Sequence, residues 1–188
     1  GETLLAGIGQ GYFQTTPIQL CLMSAQLANG GYKIKPRIIY DEQALQSTAG
    51  TWREQFRQLY RNQENVKFVL DAQFGATNEP MGTSYGSRHV KPEYIFAGKT
   101  GTSQIRTMTA EERELKIKQK DLPYKRRDHA LFTAFAPYKN PRYALSIVIE
   151  HGGTGSSAAA PIAKKIIKKI LDRHQLRTKH QLDLFQEV

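Results

Sequence analysis

Residues 95–104, IFAGKTGTSQ, combine an apolar, strand-like start with one lysine, two threonines and two glycines. Lys99 supplies an ammonium group. The hydroxyls of Thr100 and Thr102 alternate with Gly101 along an extended backbone, and Gly101 has no side chain to keep a ligand away from that backbone. The stretch therefore predicts a strand edge on which an anion can dock.

Two known motifs share letters with this stretch, and their spacing separates them. A P-loop has the form G-x-x-x-x-G-K-[ST], and Gly98-Lys99-Thr100 fits its end. The first glycine of a P-loop would fall at position 93, which is Glu93, so this motif is excluded. Lys99-Thr100-Gly101 does match the K-T-G motif of penicillin-binding proteins and class A β-lactamases. Three letters alone also occur by chance in surface turns.

Three further strings surround the K-T-G motif in a recognisable order. They are residues 7–19 (GIGQGYFQTTPIQ), 128–137 (DHALFTAFAP) and 150–155 (EHGGTG). Taken together, the four strings resemble the C-terminal half of the transpeptidase domain of class B penicillin-binding proteins. The resemblance runs from about Gly7 to about Asp172, and within the family it is nearest to the cell-elongation enzyme of Gram-negative bacteria.

This resemblance implies a fold and an activity. The implied fold is the penicillin-binding/serine β-lactamase-like transpeptidase fold, incomplete in this chain. The implied activity is that of a peptidoglycan D,D-transpeptidase, in which an active-site serine is acylated by a D-alanyl-D-alanine peptide and the acyl group then passes to an amine of a neighbouring strand. Such catalysis combines a covalent nucleophile with an oxyanion hole.

The resemblance also assigns roles along residues 99–104. Lys99 would organise the proton relay and the positive potential of the cleft. The hydroxyls of Thr100 and Thr102 would bind the terminal carboxylate of the substrate or of a β-lactam, and the backbone N–H of Thr102 would be one of two oxyanion donors. Gln104 completes the K-T-G-T-x-Q form that is typical of class B enzymes. The implied catalytic residues are thus Lys99 and Thr102, and the implied substrate-binding residues are Thr100, Gly101, Thr102 and Gln104.

The chain departs from the family pattern in one respect. None of its serines is followed by lysine three residues on, and none stands in an S-x-N triplet. The nucleophile, its general-base lysine and the serine of the second motif are therefore expected upstream of Gly1, with the first strands of the sheet, a pedestal domain and a membrane anchor. We expect the 188 residues to be inactive alone and to leave a sheet edge unpaired.

The implied partners are a peptidoglycan stem peptide ending in D-alanyl-D-alanine, β-lactams, a membrane glycosyltransferase and proteins of the elongation complex, with no nucleic acid. The implied location is the periplasmic face of the bacterial inner membrane, anchored by a segment outside this chain. An enzyme of this kind acts in cell-wall synthesis and cell shape and is an antibiotic target.

Composition limits the alternatives. A length of 188 residues with 39% hydrophobic residues predicts one globular domain with a real core. No apolar run approaches the roughly 20 residues of a membrane span, and the N-terminal segment is not a signal peptide. Cys21 is the single cysteine, which rules out an internal disulfide framework. The five histidines never stand three or four residues apart, so no metal and no cofactor is predicted.

The net charge of +10 has several explanations. Lysine and arginine are concentrated in residues 116–127 and 164–179, without zinc-finger spacing or an RNP-type aromatic motif. Solvated faces are the plainest explanation. A surface for anionic lipid or an acidic partner is a sharper alternative, and nucleic-acid binding is a third.

Two other classes of function stay open. One is a non-catalytic homologue or remnant that only binds partners in cell-wall elongation, which the presence or absence of S-x-x-K upstream would decide. The other is a basic module for nucleic acid or lipid, in which the K-T-G is chance. Binding to duplex nucleic acid that weakens steeply as the salt concentration rises would reveal such a basic module.

The N-terminal half predicts two helices. Thr16-Pro17-Ile18-Gln19 has the form of a capping box, so a helix begins at Pro17. Its residues are apolar nearly all round, which predicts a buried helix that ends at Gly30-Gly31. Residues 32–40 alternate like an edge strand. A second helix runs through Val66 and Phe74 and stops at residues 78–80.

The C-terminal half predicts a hairpin and a long helix. Residues 129–136 and 143–150 form an antiparallel pair, placed mid-sheet with helices on both sides. Residues 106–127 form a charged excursion with a short helix through 110–118. Pro161 opens a helix whose isoleucines face the sheet and whose lysines face water. The fold class is therefore α/β (α+β), an antiparallel sheet flanked by helices, with a domain at residues 1–173 and a tail at 174–188.

Overall fold

The computed structural model describes residues 1–36 except 8 and 12, residue 38, and residues 57–106, 110–115 and 117–186. None of the helices in this described part is both long and apolar enough to span a lipid bilayer. In chain order the α-helices and strands are α1 (Glu2–Gly7), α2 (Pro17–Ala28), α3 (Gln63–Asn78), β1 (Ala97–Ser103), α4 (Ala110–Glu114), β2 (His129–Ala136), β3 (Tyr143–Ile149) and α5 (Ala160–Gln186).

The sheet has the order β1-β2-β3, and both strand pairs are antiparallel. The predicted hairpin of β2 and β3 is therefore confirmed, with Ala134 opposite Leu145. On the other side of β2, Lys99 lies opposite Thr133 and Thr102 lies opposite Ala130. The K-T-G stretch thus forms β1, as its alternating pattern predicts.

The two faces of β2 pack against different helices. Its even-numbered residues are fully buried in one core cluster with α5, which contributes Ala163, Ile167 and Leu171 at helical spacing. Phe96 and Phe132 lie at the centre of this cluster, with their rings edge to face and 6.3 Å between centroids. Phe135 points to the opposite face, towards α2 and α3. A three-layer arrangement results, with the sheet in the middle.

The start of α2 confirms the capping box. The N–H of Gln19 donates to Thr16 Oγ1 at 3.3 Å, and the N–H of Thr16 donates to Gln19 Oε1 at 2.8 Å. The prediction that α2 is buried all round is wrong for the described residues, because Ile18 is 53% exposed and Met23 is 40% exposed. The apolar content of the sequence alone did not indicate which side of the helix would pack against another element.

Two further predictions, on the position of β3 and on the side of α5 that faces the sheet, need correction in the described residues. β3 lies at the sheet edge rather than mid-sheet, and all seven of its residues are half-buried. Ile162 and Ile166 are each 39% exposed and do not face the sheet, because Ala163, Ile167 and Leu171 take that side of α5.

Of the predicted strand at residues 32–40, the described part contains only an isolated bridge between Tyr32 and Gln58; residues 37, 39 and 40 lie outside the described residues. The predicted short helix through 110–118 is limited to α4. The second predicted helix is confirmed as α3. Since α5 continues to Gln186, the predicted start of a tail at residue 174 falls within a helix, and that division stays a prediction.

A polar contact ties α5 to the segment that leads into β1. The hydroxyl of Tyr94 donates to Asp172 Oδ1 at 2.5 Å, and Lys168 Nζ donates to Asp172 Oδ2 at 2.7 Å. The hydrogen bond from Lys168, followed by that from Tyr94, lowers the pKa of Asp172. The same carboxylate raises the pKa of Tyr94.

Replacing Asp172 by asparagine should lower the melting temperature at neutral pH by about 1 to 3 °C, because Lys168 and Tyr94 lose a charged acceptor. The pKa of Asp172 is lowered in the folded state, so its stabilisation is present above the unfolded pKa of about 4 and is lost as the pH falls through the folded value. The gap between wild type and variant should therefore close in acid.

Circular dichroism melts across the acid range measure this gap. Asp121→Asn, which changes an exposed carboxyl on the charged excursion, is the control and should show no such pH-dependent gap. A gap for Asp172→Asn that stays constant into strong acid would contradict the assignment.

Candidate active site

The predicted site residues line the exposed edge strand of the sheet. Lys99 is exposed, whereas Thr100, Gly101 and Thr102 are half-buried. Directly opposite residues of antiparallel strands share a face, so Thr100 and Thr102 lie on the side of α5, and Lys99 lies on the other side with Thr133. The structure brings these groups together on β1, and their catalytic and binding roles stay predictions. Gln104 follows the end of β1 and is exposed.

The ammonium group of Lys99 bends along its own strand. Its Nζ donates to the carbonyl oxygen of Thr100 at 3.0 Å and lies 3.4 Å from Thr100 Oγ1. A cation and a hydroxyl thus sit side by side at a strand edge. An anion that accepts from this ammonium group forms a bond in which both partners are charged, which is stronger than the local bonds to neutral oxygens, so an incoming anion can replace them.

Thr83 adds a second hydroxyl that the sequence reasoning did not include among the site residues. Its Oγ1 lies 3.2 Å from Thr100 Oγ1. Thr83 follows Gly82, where a Cβ would lie 2.5 Å from the carbonyl oxygens of Gly75 and Ala76. The chain therefore presses against the end of α3, and this contact directs Thr83 to β1. The only sequence signal was its position ahead of the K-T-G strand.

Buried hydrogen bonds hold the start of β1 against α3. Thr77 Oγ1 donates to the carbonyl oxygen of Gly98 at 3.3 Å, and Asn78 Nδ2 donates to that of Phe96 at 2.9 Å. Ser84 Oγ lies 3.3 Å from Thr77 Oγ1 and donates to the carbonyl oxygen of Ala76 at 2.9 Å. Thr77 is fully buried, so these bonds fix the backbone directly behind Lys99.

The glycine-rich N-terminal string reaches the other end of β1. Gln10 Nε2 donates to the carbonyl oxygen of Thr102 at 3.3 Å. Gly9 and Gly11 on either side have φ of 73° and 98°, the left-handed region that favours glycine. These glycines allow the turn that carries Gln10 to the strand, a contact that the sequence reasoning did not predict.

Gly155 opens a π-helical turn (Gly155–Ala159) that leads into α5, and it brings this turn into direct contact with the site. A Cβ on this residue would lie 2.3 Å from the carbonyl oxygen of Leu131 and 2.8 Å from that of Gly101. From the sequence, the glycines at 152–155 were expected mainly to let the backbone turn away at the end of β3. For Gly155 the structure shows another reason, namely close packing on β1 and β2.

The histidines next to the sheet are satisfied by backbone groups. The N–H of His151 donates to His129 Nδ1 at 2.9 Å, and His151 Nδ1 lies 3.1 Å from the carbonyl oxygen of Arg127. Since a carbonyl oxygen only accepts, His151 Nδ1 carries the proton of that bond. In the part of the chain that the structure describes, no group of three or more histidine, cysteine or acidic residues could hold a metal.

Ion pairs at a buried carboxylate link three positions of the charged excursion between β1 and β2. Glu112 is 9% exposed, and its carboxylate contacts the guanidinium of Arg106. It also accepts from Arg126 Nη2 at 2.9 Å. The sequence predicted only a solvated loop here, because two cations and one acid at separated positions give no local signal of pairing.

The chain matches known proteins along most of its length. The protein family described as "Penicillin binding protein transpeptidase domain" matches residues 1–168. Peptidoglycan D,D-transpeptidase MrdA from Salmonella typhimurium is 35% identical over 183 residues, which cover 92% of this chain and 27% of that protein. MrdA from Escherichia coli K12 is 32% identical over 178 residues, covering 94% of this chain and 26% of that protein.

Solved structures agree. The complex of penicillin-binding protein PBP2 with MreC from Helicobacter pylori matches with a TM-score of 0.72 and 27% identity over 92% of this chain and 28% of that one. PBP2 of Pseudomonas aeruginosa in complex with WCK 5153 matches with a TM-score of 0.63 and 31% identity over 90% of this chain and 33% of that one. These matches confirm the resemblance and the fold class predicted from the motifs.

Replacing Gly155 by alanine should destabilise the protein by about 1 to 3 kcal/mol, the usual cost of overpacking, because the new methyl group meets two backbone carbonyls. Gly86→Ala is a matched control, since nothing lies within 4 Å of a Cβ built there. It should change the stability by less than about 0.5 kcal/mol. Urea unfolding measures both variants, and equal midpoints for them would contradict the close contact with β1.

Proposed function

The chain belongs to the penicillin-binding protein transpeptidase family, and from this premise we propose that it forms one wall of the active site of a peptidoglycan D,D-transpeptidase of the MrdA type. The observation that carries the proposal is the arrangement on β1. There the ammonium group of Lys99 lies beside the paired hydroxyls of Thr100 and Thr83. A strand edge with this pattern suits the terminal carboxylate of a peptide.

The proposed reaction proceeds by serine acylation. The serine oxygen attacks the carbonyl carbon of the penultimate D-alanine, the terminal D-alanine leaves as an amine, and an acyl-enzyme forms. An amine of a second stem peptide then attacks the ester and releases the serine. The Thr102 N–H stabilises the oxyanion in both steps, because a fixed donor there costs no reorganisation as charge develops.

The other residues of β1 bind and orient the substrate in this proposal. Thr100 and Thr102 hydroxyls hold the terminal carboxylate, and Lys99 supplies positive potential and takes part in proton transfer. Gly101 leaves room for the substrate backbone, since it lacks a side chain. Gln104 lies next along the chain, at the end of β1, where it contacts the rest of the peptide.

The 188 residues supply only part of such an enzyme. They hold no S-x-x-K and no S-x-N motif, and they span about a quarter of the MrdA relatives, 27% and 26%. Two features support the same interpretation: the half-buried β3, whose outer edge has no paired strand among the described residues, and the exposed apolar side chains of α2. We place the serine, its general-base lysine and the missing strands in other parts of the full protein.

The proposed substrates are a stem peptide ending in D-alanyl-D-alanine and, as inhibitors, β-lactams. A periplasmic location at the inner membrane follows from that substrate, and so do partners in cell-wall elongation. The H. pylori relative was solved in complex with MreC, which supports a partner of this kind for the whole protein. A membrane glycosyltransferase is a further proposed partner, and residues 174–188 are proposed as a tail that follows the domain.

Fluorescent penicillin tests this function. The isolated chain should stay unlabelled, whereas the full-length protein should be labelled at a serine outside these residues. In the full-length protein, Lys99→Ala should slow acylation by about a hundredfold or more, the usual contribution of a group that assists proton transfer. Lys139→Ala, at an exposed lysine of the β2–β3 turn, is the control and should leave the rate unchanged.

Stable labelling of the isolated chain would overturn the proposal that its nucleophile lies elsewhere. A full-length protein that no penicillin acylates would overturn the transpeptidase assignment and favour a non-catalytic homologue. Stopped-flow fluorescence gives the rates, and mass spectrometry of digested protein locates the label.

A further inference from the structure

Asp128 is a buried carboxylate at the end of the candidate site. It lies immediately before β2 and is 7% exposed. The N–H of Ile105, just beyond β1, donates to its Oδ1 at 3.2 Å. Gln119 Nε2 donates to its Oδ2 at 2.6 Å. Both carboxylate oxygens are therefore used, one for the strand that carries the K-T-G motif and one for the charged excursion.

Asp128 and Gln119 each donate one hydrogen bond to the other and accept one from it. The backbone N–H of Asp128 donates to Gln119 Oε1 at 2.9 Å, which completes a ring of two hydrogen bonds. The carbonyl oxygen of Asp128 accepts from the N–H of Gly153 at 2.8 Å. Gly153 has a φ of 85°, and a Cβ there would lie 3.2 Å from Gln119 Cβ. One residue thus joins β1, the excursion, β2 and the turn after β3.

The neighbouring residue strengthens this junction. Arg127 Nε donates to the carbonyl oxygen of Leu122 at 2.9 Å, and its Nη2 donates to that of Lys120 at 3.1 Å. The carbonyl oxygen of Arg127 accepts from His151 Nδ1. The excursion near Gln119 is therefore held close to β2 by several bonds, and Asp128 links it to β1.

The location of the junction matters for β1. The strand ladder ends where Ser103 lies opposite His129. The bond from Ile105 to Asp128 continues the pairing past that end, and it spans the exposed Gln104. Thr102 lies one residue before that last pair and three residues before Ile105, so the bond to the Asp128 carboxylate limits how far the end of β1, and with it the backbone N–H of Thr102, can move.

We propose that Asp128 is a positioning residue for acyl transfer: with Gln119 it holds the C-terminal end of β1, and so the oxyanion donor of Thr102, in place. The inference rests on the proposed function. Asp128 itself contacts neither substrate nor serine in this proposal. Its effect is on the transition state, because the oxyanion exists only there, whereas the carboxylate-binding Thr100 lies further from the junction.

Asparagine at position 128 would keep the shape but not the bonds. Its amide oxygen can still accept from Ile105, but its Nδ2 then faces Gln119 Nε2, donor against donor. Turning the Gln119 amide only moves the conflict to the backbone N–H of residue 128. A second change, Gln119→Glu, supplies two acceptors there, one for each N–H. The pair Asp128→Asn with Gln119→Glu therefore restores the hydrogen bonds and keeps the net charge.

The test uses the full-length protein and fluorescent penicillin, with the dissociation constant and the acylation rate constant measured separately. Asp128→Asn should lower the acylation rate constant by about tenfold or more, since a misplacement of about 1 Å can cost a hundredfold. Its dissociation constant should stay within about threefold, less than half a decade. In the double variant, Asp128→Asn with Gln119→Glu, the acylation rate constant should return to within about threefold of the wild-type value. Asp121→Asn is the control for loss of one carboxylate on the same excursion.

The outcomes distinguish a failure of the proposed function from a failure of the positioning role of Asp128. If wild type is not acylated, the proposed function fails. If wild type is acylated and Asp128→Asn matches Asp121→Asn in rate, Asp128 has no positioning role. The inference is also overturned if the double variant regains the wild-type melting temperature but not the acylation rate. If Asp128→Asn does not fold, the acylation rate constant of the double variant alone decides the test, and we expect it to equal that of wild type.

Discussion

The close approach of backbones around β1 is the constraint on which the site depends. A Cβ at Gly98 would lie 2.5 Å from the carbonyl oxygen of Thr133, and one at Gly155 would lie 2.8 Å from that of Gly101. β1 is therefore held through its backbone, by β2 along one edge and by the turn at Gly155–Ala159 that precedes α5. The side chains of residues 99–103 do not have to pack fully against a core, since each is half-buried or exposed. This leaves Lys99, Thr100 and Thr102 available to a ligand at the free edge.

Buried polar groups fix both ends of the same strand. Thr77 and Asn78 hold its start through carbonyl oxygens, and Asp128 holds its end through the N–H of Ile105. A buried polar group without a partner is costly, so each of these residues strongly favours one position of β1. Rigid placement is what a site needs if it stabilises a charge that appears only in the transition state.

Local patterns predicted the elements of the fold well. The capping box at Thr16, the alternation of β2 and β3 and the K-T-G strand all depend on neighbours within a few residues, and the structure confirms them. Which side of an element is covered depends on residues far away in sequence. That is why the burial of α2, the position of β3 in the sheet and the orientation of Ile162 on α5 were predicted wrongly.

The sequence by itself determined the motif, because Lys99, Thr100, Gly101, Thr102 and Gln104 lie within six consecutive residues and their order carries it. It also determined what these residues lack, namely a serine followed by lysine three residues on. Only the tertiary structure decided what surrounds the motif. Thr83 and Gln10 bond to β1 from 17 and 92 residues away, and Asp128 bonds to Ile105, just beyond β1, from 23 residues away. Hydrogen bonds between such distant residues leave no periodic pattern in a sequence, since they depend on how the helices and strands pack in space.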